Sequence, residues 1–209
     1  KKQKEQAAEK EHKKLKDKEL CYMRVISGSA RGTRLVDLGD ADIRPTLDRV
    51  KESFFNQVGQ DLSGRTFLDL FAGTGSIGIE ALSRGAEKVF FVEKNPTANA
   101  LITRNLEKCR MISEDQIKRW QLIKQGALEF IMVLKEKGVH FDLIYVDPPF
   151  KDNLYKNSLV LLPDILDREG SVVVEHFHKT KLQESYGRLK SFKDRRLGDT
   201  CLSFFEMGL

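Results

Sequence analysis

The residues of this chain with the clearest chemical content are Asp147-Pro148-Pro149-Phe150. They follow an apolar run, Leu143-Ile144-Tyr145-Val146, that reads as a buried strand. Two prolines fix the backbone and leave nitrogens without hydrogens, so the loop is rigid and rich in acceptors. The Asp147 carboxylate and the Pro148 carbonyl can both accept N–H bonds from an exocyclic amine, and Phe150 offers a face on which a base can stack. The alternative is a structural turn, with Asp147 as a local cap and Phe150 in a core.

A second group lies about 75 residues upstream. Thr66-Phe67-Leu68-Asp69-Leu70-Phe71 reads as a strand running into Ala72-Gly73-Thr74-Gly75-Ser76-Ile77-Gly78. Gly73, Gly75 and Gly78 have the G-x-G-x-x-G spacing of a nucleotide-binding turn, and Glu93 follows Gly73 by 20 residues, where a carboxylate can accept both ribose hydroxyls. Both NAD enzymes and methyltransferases use that fingerprint. Asp69 distinguishes them: a carboxylate there favours the sulfonium and amino groups of S-adenosylmethionine over a pyrophosphate.

Other candidates carry less. His176 and His178 share a face if their strand continues, but no third ligand is near, so no metal is expected. Lys179, Lys181, Arg188, Lys190, Lys193, Arg195 and Arg196 could form a phosphate-contacting surface or simply a solvated face. Trp120 and Phe130 read as core.

These residues need a scaffold, and the pattern provides one. Strands are expected at 66–71, 88–93, 120–123, 141–146, 171–175 and 200–206, and helices from Pro45, at 76–83, after Asn95-Pro96, at 127–137 and at 154–166. Alternation of this kind predicts an α/β, doubly wound, mostly parallel sheet with ligands at the carboxyl edge of its strands. Residues 23–44 read as a small N-terminal β-hairpin extension of a domain spanning 23–209. Residues 1–22 read as a basic helical or disordered extension: residues 1–20 contribute eight Lys against four Glu and one Asp.

Composition bounds the function. The chain has 209 residues, 40% of them hydrophobic, and a formal net charge of +5, enough apolar content for one sizeable core and a charge that permits a polyanionic partner. The longest apolar runs, such as Ile131-Met132-Val133-Leu134, fall far short of a membrane span of about 20 residues. The opening residues lack the apolar stretch of a secretory signal, and three widely separated cysteines suit neither a disulfide framework nor a zinc site. A reduced, cytoplasmic setting is expected.

Together, Asp69-Leu70-Phe71-Ala72-Gly73-Thr74-Gly75 and Asp147-Pro148-Pro149-Phe150 resemble the amino-methyltransferase superfamily. Arg24-Val25-Ile26-Ser27-Gly28, Arg31-Gly32 and Arg44-Pro45-Thr46-Leu47-Asp48-Arg49-Val50 narrow the resemblance to the RsmD-like bacterial enzymes that methylate guanine N2 in small-subunit (16S) ribosomal RNA. The similarity runs from about Met23 to the end. It implies a Rossmann-like fold and S-adenosylmethionine as cofactor, with S-adenosylhomocysteine as product and no metal. It places cofactor contacts at Asp69, Phe71, Ala72, Gly73, Thr74, Gly75, Ser76, Glu93, Lys94 and Ala127, with Arg44 and Thr46 closing the site, and catalysis at Asp147, Pro148, Pro149 and Phe150. It implies the small ribosomal subunit, assembled or partly assembled, as partner, and a monomeric enzyme. The chain departs from the family pattern at Gln125-Gly126-Ala127, where many relatives carry Asp or Asn before the Ala. Adenine contact there then falls to backbone or to Ala127. Three other functions remain open: an adenine-N6 or cytosine-N4 methyltransferase sharing the same acceptor loop, a non-catalytic RNA-binding assembly factor, and a NAD oxidoreductase sharing the glycine fingerprint.

Overall fold

The computed structural model describes residues 23–37, 48–149 and 154–208. In chain order the elements are α1 (Asp48–Val58), β1 (Thr66–Leu70), α2 (Ser76–Ser83), β2 (Lys88–Val92), α3 (Pro96–Lys108), α4 (Glu114–Ile117), β3 (Trp120–Ile123), α5 (Ala127–Lys137), β4 (Phe141–Val146), α6 (Leu154–Leu161) with a 3₁₀ turn at Leu162–Asp164, β5 (Leu166–Phe177), β6 (Ser185–Tyr186), β7 (Leu189–Leu197) and β8 (Thr200–Met207). The eight strands make one sheet in the order β3-β2-β1-β4-β5-β8-β7-β6. The first five are parallel; β8 enters antiparallel beside β5, and β7 and β6 follow antiparallel. This is a Rossmann-like, doubly wound fold, with both faces of the parallel part covered.

The central strands carry near-continuous apolar sequence because neither face meets water. Leu143, Ile144, Tyr145 and Val146 of β4 are all buried. Alternate residues feed two cores. Phe67, Tyr145, Val173 and Phe204 join Phe54 of α1 and Ile79 of α2 on one face. On the other face Leu68, Ile144, Val174 and Phe205 join Ile131 of α5 and Leu159 of α6. Local chemistry sets the helix limits. Asn95 caps α3, its Oδ1 accepting from Thr97 and Ala98 N–H at 2.8 and 3.2 Å, with Pro96 in the first turn.

Residues 23–37 form a short antiparallel turn without a named strand: Arg24 bridges Arg34, Val25 N–H donates to Thr33 O at 2.9 Å, Gly32 N–H to Val25 O at 2.8 Å and Leu35 N–H to Met23 O at 2.8 Å. The donors between the two arms are used elsewhere. Ile26 and Ser27 N–H donate to the Glu80 carboxylate at 2.8 and 2.9 Å, and Ser29 and Ala30 N–H donate to Ser83 O and Oγ at 2.8 and 2.9 Å. Gly28 lies so close to α2 that an added Cβ would come within 1.8 Å of Ser83 O. The turn between the arms therefore docks on a helix, and the ladder stays short. Residues 38–44 of the expected hairpin, like residues 1–22, lie outside the described residues.

The run from Lys179 to Arg196, read from sequence as surface, contains a strand. Its residues from Leu189 to Leu197 form β7 against β8, with an irregularity between Ser191 and Lys193. The expected fifth strand, 171–175, is the centre of a longer one, Leu166–Phe177.

Candidate active site

β1 ends at Leu70, and the chain then turns through a conformation that L residues rarely take. Phe71 has φ 78, and it and Ala72 both donate N–H to Val92 O, at 3.1 and 2.9 Å. Such strain persists where surrounding bonds enforce it, and it costs about 1–3 kcal/mol. The turn Ala72–Gly75 closes with Gly75 N–H on Ala72 O at 2.7 Å and delivers the chain into α2. Gly78 packs the helix on β2, since a Cβ there would lie 2.3 Å from the Phe91 ring.

Two carboxylates frame this loop. Glu93, just past β2, accepts from Gly73 N–H through Oε2 at 2.9 Å and from Asn95 N–H through Oε1 at 2.7 Å. Each oxygen keeps a second lone pair, so both can still receive a ribose hydroxyl. Asp69 is 3% exposed and accepts from Gly78 N–H at 2.9 Å, tying β1 to the first turn of α2. Burial raises its pKa to about 7; the Gly78 bond opposes the rise and Glu93 adds to it.

The acceptor loop stands beside the glycine loop. Leu70 of β1 pairs with Val146 of β4, so Phe71 and Asp147 are the next residues on adjacent strands. Asp147 is half-buried, Pro148 buried and Pro149 exposed. Withdrawal from water, then the charges of Glu175 and Asp69, push the Asp147 carboxyl well above the usual carboxylate range.

Two residues of this edge were not singled out from sequence. Val146 pairs with Val174, which makes Glu175 the β5 neighbour of Asp147. Tyr145, two residues before Asp147, donates its hydroxyl to Glu175 Oε2 at 2.5 Å. Burial pushes the Glu175 carboxyl up while this bond opposes the rise, and burial together with Glu175 and Asp147 holds the Tyr145 phenol neutral, well above its usual range. The available signal was an acid directly after the apolar run Val172-Val173-Val174.

The residues proposed from sequence separate into those brought together and those not. Asp69, Phe71, Ala72, Gly73, Thr74, Gly75, Ser76, Glu93, Lys94, Asp147, Pro148 and Pro149 lie at the carboxyl edges of β1, β2 and β4 or in the turns that follow them. Ala127 is buried in the first turn of α5, after β3, with Gly126 as the residue preceding the helix. Arg44, Thr46 and Phe150 lie outside the described residues. His176 is buried, its Nε2 2.8 Å from Ser203 Oγ, and His178 lies beyond the end of β5. Among the described residues no group of three or more His, Cys, Asp or Glu side chains could hold a metal.

The loop residues fit S-adenosylmethionine. A Cβ built on Gly73 would meet nothing within 4 Å, so there is room over the loop for a ligand. Ser76 Oγ is buried there without a hydrogen-bond partner. Asp69 and Glu93 supply the negative charge that a sulfonium and the hydroxyls of a ribose require.

Comparison with known proteins accords with this geometry. The family model described as "Conserved hypothetical protein 95" matches residues 23–206. The Bacillus subtilis protein named "Putative rRNA methyltransferase YlbH" is 35% identical over 88% of this chain and 98% of its own length. "Ribosomal RNA small subunit methyltransferase D" of Haemophilus influenzae is 39% identical over 67% of this chain and 70% of its own. A solved structure, "Putative methyltransferase yhhF from Escherichia coli", superposes with a TM-score of 0.75 at 25% identity, over 90% of this chain and 98% of that one.

Proposed function

The chain belongs to the family of conserved hypothetical protein 95, which its RsmD-like sequence features anticipated, and from that premise we propose that it methylates N2 of a guanine in small-subunit ribosomal RNA, using S-adenosylmethionine. The observation that carries the chemistry is the adjacency of the two loops: the Asp147-Pro148 acceptors follow β4 directly beside the Gly73 turn that follows β1. Cofactor and base can then meet at one sheet edge without crossing the core.

When bound, S-adenosylmethionine supplies a methyl group made electrophilic by its sulfonium. The chain's own residues do the rest. The guanine amine is a weak nucleophile because its lone pair is delocalised into the ring. Asp147 and the Pro148 carbonyl accept its two N–H bonds, orient that lone pair and stabilise the positive charge that develops on nitrogen. Positive charge brought over Asp69 and Asp147 favours their ionised forms, opposing the rise that burial imposes on both. The proton lost from N2 passes to the Asp147 carboxylate. Phe150, as the residue after the prolines, supplies the face on which the flipped base stacks. Glu93 holds the ribose, and Arg44 and Thr46 close the cofactor site.

The domain spanning 23–209 acts as a monomer on an assembled or partly assembled small subunit, in the cytoplasm. No helix among the described residues is long and apolar enough to cross a membrane. The test is to incubate the protein with labelled S-adenosylmethionine and small subunits from cells lacking it, then digest the RNA to nucleosides. N2-methylguanosine is the expected product. Methyl on another base would keep the chemistry and remove the guanine assignment, and no transfer to subunits, naked RNA or DNA would leave a binding factor.

A further inference from the structure

A loop of Asp-Pro-Pro-Phe can hold any exocyclic amine, so it does not by itself choose among guanine, adenine and cytosine. Its neighbour can. β4 and β5 are in register through Val146 and Val174, and parallel neighbours lie about 4.8 Å apart. Asp147 and Glu175 are thus side by side at the strand ends, and the register places Tyr145 on the same sheet face as Val173, and so as Glu175. Tyr145 donates its hydroxyl to Glu175 Oε2 at 2.5 Å, which orients the carboxylate and leaves Oε1 for a ligand.

The bases differ in what they present beside the reactive amine. On the Watson–Crick edge of guanine, N2 adjoins N1–H, so two donors stand in a row. Adenine places an unprotonated N1 beside its N6 amine, and cytosine an unprotonated N3 beside N4. Acceptors in a row match guanine alone. For the other two bases a lone pair would face a carboxylate, leaving both acceptors unsatisfied in a half-buried site.

We propose that Glu175 selects the base: its carboxylate, held by Tyr145, accepts N1–H of guanine while Asp147 and Pro148 accept the N–H bonds of N2. The inference rests on the methyltransferase reading above and goes further, because it assigns the choice of guanine to a residue outside the acceptor loop. Asp69 and Tyr155, the other titratable groups facing Asp147 among the described residues, do not duplicate the role. Asp69 lies on β1 level with Tyr145, two residues short of Asp147, and Tyr155 carries a hydroxyl rather than a charge.

The test uses the full chain and one RNA substrate carrying at the target position either guanine or 2-aminopurine, which keeps the N2 amine but has a lone pair at N1. The wild-type protein is expected to favour guanine in kcat/KM by roughly ten- to hundredfold, the discrimination carried by one such matched pair of hydrogen bonds. Glu175→Gln, whose amide can donate to N1, is expected to narrow that ratio at least about tenfold while cofactor affinity is unchanged. Tyr145→Phe frees the carboxylate without removing it and is expected to narrow the ratio by a smaller factor, so the proposal does not hang on the folding of one variant. An unchanged ratio in either folded variant, or equal use of both bases by the wild type, overturns the role of Glu175 and leaves the methyltransferase reading standing. Failure of the wild type to methylate guanine while it methylates another base overturns the role of Glu175 and the guanine assignment, and leaves methyl transfer standing.

Discussion

At the scale of single residues, burial makes three acids of the site, Asp69, Asp147 and Glu175, costly to ionise. In the proposed reaction Asp147 meets the substrate amine and not the cofactor's main anchor, so Asp147→Ala is expected to leave S-adenosylmethionine affinity unchanged in calorimetry and to lower kcat by about 10²–10³-fold, as loss of a transition-state acceptor does elsewhere. Asp147→Asn keeps a carbonyl acceptor and should lose less. Asp69 gives a prediction about stability. Its pKa in the folded protein is about 7, above that of an unfolded aspartate, so the folded state holds this proton more tightly. Its contribution is therefore complete below about pH 4 and lost as pH rises through about 7, by on the order of 4 kcal/mol. Asp69→Asn retains an acceptor for Gly78 N–H and removes the ionisation. Urea unfolding of the ligand-free proteins should show the variant losing less stability than the wild type between pH 4 and pH 8, and parallel curves would show that Asp69 ionises freely.

At the scale of elements, Glu80 is the point where three parts of the fold converge. From the middle of α2 its carboxylate accepts from Ile26 and Ser27 N–H, pairs with Arg84 at 2.9 Å and lies 3.7 Å from Lys51 Nζ of α1. Lys51 is fully buried, and burial lowers its pKa against the pull of Glu80. Glu80→Ala leaves that ammonium without its counter-charge and frees two backbone donors, so a loss of about 3–5 kcal/mol is expected. Hydrogen exchange should show the Ile26 and Ser27 amides losing protection; retained protection with an unchanged melting temperature would refute the tether. The docking of residues 23–37 on α2 was illegible in the sequence, because the carboxylate that takes the Ile26 and Ser27 donors lies 54 and 53 residues away, whereas the antiparallel contact of the two arms was readable from Val25-Ile26 and Leu35-Val36 around a glycine turn. By contrast α2, β3, α5 and β4 were legible to their limits, since each has apolar residues of one period between glycines, prolines or polar turns. The strand β7 has charge on both faces and no alternation to read. The same division holds for the site. The glycine loop, Glu93 and Asp147-Pro148-Pro149 are local motifs and could be read directly, whereas Glu175 and Tyr145 meet only through the pairing of β4 with β5.

For the whole molecule, strand direction sets which basic residues share an edge with the site. β8 runs against β5, and β7 runs against β8, so β7 is parallel to β5 and its carboxyl end lies on the same edge as Asp147 and Glu175. Arg195 and Arg196, both exposed, stand at that end, with Arg196 Nε on Gly198 O at 2.9 Å. Lys190 is five residues earlier on the strand, about 17 Å towards the opposite edge, and its β8 neighbour is Glu206. Net positive charge therefore matters by position and not only by amount. Replacing Arg195 and Arg196 together with Ala is expected to weaken RNA affinity and to make the dependence of log Kd on log salt shallower, by about 0.7 for each phosphate that the protein ceases to neutralise. Lys190→Ala removes an equal kind of charge from the other edge and should leave both quantities unchanged. Cofactor affinity should be the same in all three proteins, because the loops after β1 and β2 that frame its site are untouched. An equal loss per charge removed from the two edges would mean that RNA senses only the overall charge, and the edge marked by Asp147 would then lose its claim to be the docking face.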